Sequence, residues 1–390
     1  MQGRTVCGVC LEEKTDKMKA DNLKSIIPVI LIVTVLMAGS CSSRAGNAVK
    51  TSTDSKGKAS LDLPASLIRM ESPAENEEYR LNAQVKVTLE AAADAGTLDS
   101  VRVSFDGKQV ALLKSAPWEC TVTGDFTGMT GRKPVKAVAY TSGKTQSVTR
   151  FVIIYSDSAP KRLGFRLVNT YPHDPGAFTQ GLFFHDGVLY EGTGQETGST
   201  LRTAELETGR VIRQHTLDPS LFGEGITLYN DRIFQVTWQN KVGFVYNRSD
   251  FKLINKVFYQ GEGWGLTTIG DRIVRSDGSN ILYFHEPEMF DAVSRLEVYD
   301  NEKKVDQLNE LEYINGEIWA NIWMTDLIAR IDPLTGKVNS YVDLSRLYPE
   351  ARRREVNADV LNGIAWDLKS GRIFVTGKRW PGLYEIEVIE

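Results

Sequence analysis

The chain has 390 residues, enough for two or three domains and more than one core. Apolar residues make up 42 % and charged residues 25 %, ordinary for a water-soluble protein, and a net charge of −4 removes any electrostatic case for nucleic acid as a partner. The densest basic run, Arg352 to Arg354, reads as a solvated helix face.

Residues 1–41 read as an export signal. Lys19 and Lys24 precede an apolar run from Ile26 to Met37, too short to span a bilayer comfortably, and the small residues Ala38, Gly39 and Ser40 lead to Cys41. The order resembles the lipobox of a bacterial lipoprotein, although Ala38 stands where that motif carries leucine. The resemblance implies a lipid on Cys41 and an exported chain anchored to a membrane, in the periplasm or at the cell surface. Plain cleavage near Cys41 is the first alternative and a retained anchor helix the second. A start at Met18 would give a signal of ordinary length and leave Cys7 and Cys10 untranslated. A single such pair is weak evidence for zinc in any case. Only Cys120 then remains, so no internal disulfide is expected and it reads as a small core residue.

Residues 42–62 are rich in Ser, Lys, Gly and Thr and cannot bury enough surface to fold, so they read as a flexible tether. Residues 63–156 read as a small β-domain. VKVTLEA, SVRVSFDG, VKAVAYTSG and TRFVIIY have strand length and strand patterning, with Asp-Gly and Ser-Gly turns between them. An immunoglobulin-like sandwich is the expected solution. The stretch resembles the Ig-like modules attached to exported bacterial enzymes, and it holds no cluster of catalytic residue types. A spacer or adhesion role is expected.

Residues 160–390 contain an internal repeat. DGVLYEGTG, NDRIFQVTW, GDRIVRSDG, NGEIWANIW and SGRIFVTGK, beginning at 186, 230, 270, 315 and 370, are each a tight turn followed by an alternating strand. Each follows another apolar strand, and most precede a further hairpin. Four strands per repeat at this period predict a β-propeller of five blades, making the whole chain all-β. The last repeat lacks its outer strand, which RLGFRLVNTYP at 162–172 can supply to close the ring.

Counting six residues back from each turn gives Gln180, Glu224, Trp264 and Asn309, with Asn362 in the longer fifth repeat. Counting eight forward gives Gly194, Trp238, Gly278, Trp323 and Lys378. A hairpin returns the chain to the rim it left, so both sets converge at one end of the central channel. The three tryptophans, with Phe178 and Phe222, make apolar walls there. Gln180, Asn309 and Asn362 offer amides, and Glu224 and Lys378 are expected to carry the only charges. Taken singly, each tryptophan reads as core packing and Glu224 as a surface turn. Their joint placement reads as a small-ligand pocket.

FTQGL at 178–182, FGEG at 222–225, GEGWGLT at 261–267, LNELEYINGEIWANIW at 308–323, LNGIAWD at 361–367 and RIFVTGKRWPGLYEI at 372–386 resemble the plant and bacterial glutaminyl-peptide cyclotransferases over roughly 165–390. The resemblance implies a five-bladed propeller. It also implies cyclisation of N-terminal glutamine of peptides or proteins to pyroglutamate with loss of ammonia. It makes Glu224 the proton shuttle. Lys378 and Asn309 are expected near the developing oxyanion, and Gln180 is expected to position the substrate amide. Phe178, Phe222, Trp238, Trp264 and Trp323 would clamp the glutamine; Asn362 rests on the repeat count alone. No cofactor and no catalytic metal are expected, since His173, His185, His215 and His285 show no ligand spacing. A structural calcium, carried by plant members, stays open. The phosphate-loop pattern is missing and GEGWG at 261–265 reads as a turn.

Two other readings stand beside this one, because propellers host many functions. A propeller hydrolase would want several rim carboxylates, against the single one expected here. A non-enzymatic module binding peptides or glycans would use the tryptophans alone.

Overall fold

The computed structural model describes residues 66–93, 95–195 and 198–390. The export signal, Cys7, Cys10, Cys41 and the tether lie outside the described residues.

Two sheets face each other in the N-terminal part. Ile68–Ser72, Val85–Ala91 and Glu119–Val122 form one; Glu77–Arg80, Lys144–Tyr155, Gly131–Thr141, Ser100–Phe105 and Lys108–Leu113 lie side by side in the other. Strand alternation selects the inner face. Val85, Val87 and Leu89 meet Val101, Val103, Phe105, Val135, Ala137 and Ala139 in one buried cluster, against which Cys120 is partly buried. The hairpins turn at Asp106–Gly107 and Ser142–Gly143, where Asp106, Gly107 and Gly143 take the left-handed φ such tight turns require. The arrangement is an immunoglobulin-like sandwich.

The remaining described residues form five four-stranded blades around a channel. From the inside outward, blade one is Thr179–His185, Val188–Thr193, Thr200–Glu205 and Val211–Thr216. Blade two is Gly223–Tyr229, Arg232–Thr237, Val242–Asn247 and Leu253–Phe258. Blade three is Leu266–Ile269, Arg272–Arg275, Ile281–His285 and Ala292–Glu297. Blade four is Leu308–Ile314, Glu317–Ile322, Leu327–Ile331 and Val338–Asp343. Blade five is Leu361–Asp367, Arg372–Gly377 and Gly382–Ile389, completed on the outside by Lys161–Pro172. That closing strand pairs antiparallel with Gly382–Ile389. Its first residues also run parallel to Ser340–Val342, so blades four and five share one sheet.

Buried apolar side chains fill the spaces between blades. Leu201, Ile226, Ile233, Phe244 and Tyr246 pack blade one on blade two; Val274, Leu282, Leu308, Leu311 and Ile318 pack blade three on blade four. The channel itself is crossed by a polar contact. Glu310, fully buried on the inner strand of blade four, accepts the backbone N–H of Leu182 in blade one at 3.1 Å and of Ile364 in blade five at 2.9 Å. Glu312 accepts the N–H of Trp366 at 3.1 Å.

Among the described residues the one α-helix, Glu350–Glu355, lies in the long connection before blade five. Arg352 and Arg354 are exposed on it, as expected of a solvated face, but Arg353 is buried. Its planar guanidinium fits the Asp326 carboxylate bidentately at 2.5 and 3.0 Å and lies 5.6 Å from the Trp380 ring centre.

The sandwich is seamed to blades three and four through backbone groups. The Thr130 hydroxyl donates to the carbonyl of Glu297 at 2.5 Å or of Thr335 at 3.0 Å, the Arg132 N–H to the Glu297 carboxylate at 3.0 Å, and the Ser156 N–H to the Asp300 carbonyl at 3.0 Å.

Candidate active site

Four inner strands are interrupted at one matching place. The pairing register skips between Thr179 and Gly181, Gly223 and Ile226, Leu308 and Leu311, and Leu361 and Ile364. Each skip is a β-bulge, and a bulge re-aims the side chain it carries. The re-aimed residues include Gln180, Glu224, Asn309 and Asn362, each the second residue of its strand. In blade three the inner strand starts later, and Trp264 precedes it. The polar ring read from the repeat is therefore a ring of bulges.

Phe178, Gln180, Phe222, Glu224, Trp238, Trp264, Asn309, Trp323 and Lys378 line one cavity of about 470 Å³, within the usual size for a small-ligand site. The aromatic rings form a belt. Phe178 meets Phe222 edge-on at 6.3 Å between centres, Phe222 meets Trp238 at 5.8 Å, and Trp264 meets Trp323 at 5.7 Å. Gly194 and Gly278 stand where a side chain would collide with the rings of Phe222 and Trp264. Asn362 lies behind this wall. Its amide donates to the Gln180 side-chain oxygen at 3.1 Å and to the Thr179 carbonyl at 3.0 Å, so it holds Gln180 instead of lining the cavity.

That hold fixes which end of the Gln180 amide faces inward. With its oxygen engaged by Asn362, Gln180 presents N–H to Glu224 Oε1 at 3.1 Å. Among the described residues no other hydrogen bond reaches the Glu224 side chain, which is 5 % exposed. Burial pushes its carboxyl well above the ordinary value; Lys378 works against that push and Glu262 adds to it. Lys378 is buried too, and desolvation lowers its ammonium while Glu224 supports the charged form. Its Nζ sits 4.8 Å from the Phe178 ring centre. The Asn309 side-chain oxygen is buried and has no hydrogen-bond donor among the described residues.

Two carboxylates at the rim escape the sequence reading. Asp359 lines the cavity. Glu262 accepts the indole N–H groups of Trp238 at 2.7 Å and Trp264 at 2.9 Å on one oxygen, and the Gln239 amide at 3.0 Å on the other. Thus Glu224 and Lys378 are not the only charges, and GEGWG is more than a turn: it carries the clamp that joins both halves of the aromatic belt. Its backbone is held in turn by the buried Arg275, which donates to the carbonyls of Glu262 and Gln260. The pairing of a lone Glu with a Trp two residues on was the available signal. Met324, also in the wall, has no sequence pattern to reveal it.

The histidines are satisfied structural groups where buried. His173 bridges the Trp380 carbonyl at 2.7 Å and the Glu191 carboxylate at 3.0 Å; His285 bonds to the Phe290 carbonyl at 2.7 Å. Glu191 also receives Arg202 and Thr179, and that company holds its pKa near 2 despite complete burial.

A family model described as Glutamine cyclotransferase matches residues 127–388, and one described as Bacterial Ig domain matches residues 67–149. The chain is 42 % identical over 228 residues to the glutaminyl-peptide cyclotransferase of Arabidopsis thaliana, spanning 57 % of this chain and 70 % of that protein. It is 39 % identical to the glutaminyl cyclase of Myxococcus xanthus, whose crystal structure superposes with a TM-score of 0.54 over 59 % of this chain and 98 % of that one. The bulged polar ring lies within the residues that the family model matches, and the chain belongs to the glutamine cyclotransferase family, with a bacterial Ig domain ahead of its propeller.

Proposed function

We propose that the chain is a glutaminyl-peptide cyclotransferase, converting the N-terminal glutamine of peptides or proteins to pyroglutamate with release of ammonia. The observation that carries the reading is the buried Glu224 carboxyl on a cavity wall that also holds five aromatic rings, the amides of Gln180 and Asn309 and the ammonium of Lys378. The substrate brings its own nucleophile. Its α-amine, with an ordinary pKa of about 8, is partly neutral near neutral pH. The new bond joins that nitrogen to the side-chain amide carbon, and the bond from this carbon to the amide nitrogen breaks.

Glu224 takes the proton that the attacking amine sheds and hands it to the departing nitrogen, ending as it began. Burial makes its carboxylate a stronger base than an exposed one, which suits the first transfer. Lys378 stands by the cavity as the cation for the developing oxyanion, and Asn309 contributes its amide there. The aromatic belt folds the flexible glutamine into attack geometry and excludes water, which suppresses hydrolysis to glutamate. This chemistry calls for no metal, so the activity is proposed to be metal-independent.

The test is ammonia release from a Gln-initiated dipeptide, with and without chelator, by the native chain and by Glu224→Gln. Turnover that survives the chelator and disappears in the variant is expected. A native chain that binds the dipeptide and releases no ammonia overturns the reading in favour of a binding propeller.

The order of Lys19, Lys24, the apolar run and Cys41 supports a further proposal, that the chain is exported and lipid-anchored. Incorporation of labelled fatty acid that is lost in Cys41→Ser tests it.

A further inference from the structure

Trp323 lines two cavities. One is the cavity of Glu224; the other, about 520 Å³, runs beside the segment 300–307 to the linker residues Ala159 and Pro160. This segment spans the distance between two landmarks. Tyr299, just before it, bridges to Lys337 near the seam with the Ig-like domain, and Gln307 leads into the strand that carries Asn309. The second cavity therefore extends from the catalytic rim toward that seam.

Its wall is set before any ligand arrives. Asp300 accepts the backbone N–H groups of Glu302 and Lys303, both at 2.8 Å, and the Tyr341 hydroxyl at 2.9 Å. Lys304 pairs with Asp306 at 3.1 Å. Other polar groups are left over. Arg162 is exposed, lies 4.6 Å over the Tyr341 ring and, among the described residues, has no carboxylate in ion-pair range; nor has Lys303. The Gln307 side-chain oxygen is buried with no donor among the described residues. The wall carries as many anions as cations, but Asp300 is buried with its oxygens turned to neutral donors and Lys304 is paired with Asp306, so the exposed charges left facing the groove are Arg162, Lys303 and Glu302.

A peptide that presents its first residue to Glu224 must lead the rest of its chain out past the cavity rim. We infer that the groove beyond Trp323 is a subsite for the residues that follow the substrate's glutamine, and that it favours an acidic side chain among them. The inference rests on the cyclotransferase reading, since it assigns a place to the remainder of that substrate. Arg162 and Lys303 would meet the carboxylate.

The experiment uses the full chain with three amidated peptides: Gln-Ala, Gln-Ala-Ala-Asp-Ala and Gln-Ala-Ala-Lys-Ala. The acidic pentapeptide should exceed the lysine pentapeptide in kcat/KM by about three- to tenfold, the scale of one or two exposed ion pairs. Arg162→Glu combined with Lys303→Glu should reverse that order while leaving dipeptide turnover within about twofold. Calorimetry in the Glu224→Gln chain should give the same order of affinities. Equal behaviour of the two pentapeptides, or a preference that survives in the double variant, overturns the subsite. If no peptide yields ammonia, the cyclotransferase reading fails, and the calorimetric comparison alone decides the groove.

Discussion

Gln180 and Glu224 occupy the same bulged position on adjacent blades, and the amide of one donates to the carboxyl of the other at 3.1 Å. The contact is directional only because Asn362 holds the other end of the Gln180 amide. Asn362→Ala should let that amide turn over and meet Glu224 with its oxygen. The expected result is a fall in kcat of about tenfold with little change in KM, since geometry and not substrate contact is lost. Steady-state kinetics on a Gln dipeptide checks it.

Lys378 opposes the rise in the Glu224 pKa. Removing its charge in Lys378→Met should leave the carboxyl still harder to ionise. Where the ionised carboxyl is the base, kcat/KM climbs as pH rises through its pKa, so this ascending limb should move to higher pH. The maximal rate should fall by about 10²–10³, the usual loss of an oxyanion partner. A pH–rate profile that keeps its acidic limb in place argues against the coupling.

The charge on Glu262 acts in the opposite direction, raising the Glu224 pKa. In Glu262→Gln the ascending limb should therefore shift to lower pH. Glu262→Ala also leaves the Trp238 and Trp264 indoles without their shared acceptor. There KM should rise by about five- to twentyfold, a loss on the scale of 1–2 kcal/mol from hydrogen bonds to a charged group. Tryptophan fluorescence in the absence of substrate should report the loosened belt independently.

Glu310 and Glu312 make predictions about stability. Burial raises both, Glu310 well above the ordinary value and Glu312 to about 8. A carboxyl higher in the folded than in the unfolded chain gives stability that is complete below its unfolded value of about 4.5 and is lost as pH rises toward the folded value. The melting temperature should fall between about pH 5 and pH 8, and Glu312→Gln should flatten the slope. Glu310→Ala would orphan the N–H groups of Leu182 and Ile364 and should cost about 2–5 kcal/mol, whereas Glu310→Gln keeps an acceptor and should cost much less. Thermal melts of the two variants distinguish these outcomes.

The repeat made the propeller legible because tight turns and alternating strands recur at one period. The same count found most of the cavity, since equal positions in equal blades meet at one rim. What escaped the count is what breaks the repeat. Glu262 stands two residues before Trp264, where Phe178 and Phe222 stand before Gln180 and Glu224, so its residue type and not its position breaks the repeat, while Asp359 lies in the long connection that carries the helix. Arg353 looks solvated in a run of three arginines because its partner Asp326 is remote in sequence. In the sandwich, Val85–Ala91 and Ser100–Phe105 announce themselves by alternation, while Glu77–Arg80 pairs parallel to Lys144–Tyr155 at an edge and has no buried face to mark it.

The ring is fastened by its two ends. Arg166 and Glu387 lie side by side in the final pairing although 221 residues separate them along the chain. During synthesis the strand Lys161–Pro172 is made early and has no antiparallel partner until the last residues emerge. Until then the incomplete fifth blade and the waiting strand both expose open edges, the condition in which chains associate wrongly. Folding of this domain is therefore governed by a pairing of very long range, which slows it relative to a chain of local hairpins. Loss of the strand Gly382–Ile389, remote from Glu224 in sequence, would leave the ring unclosed.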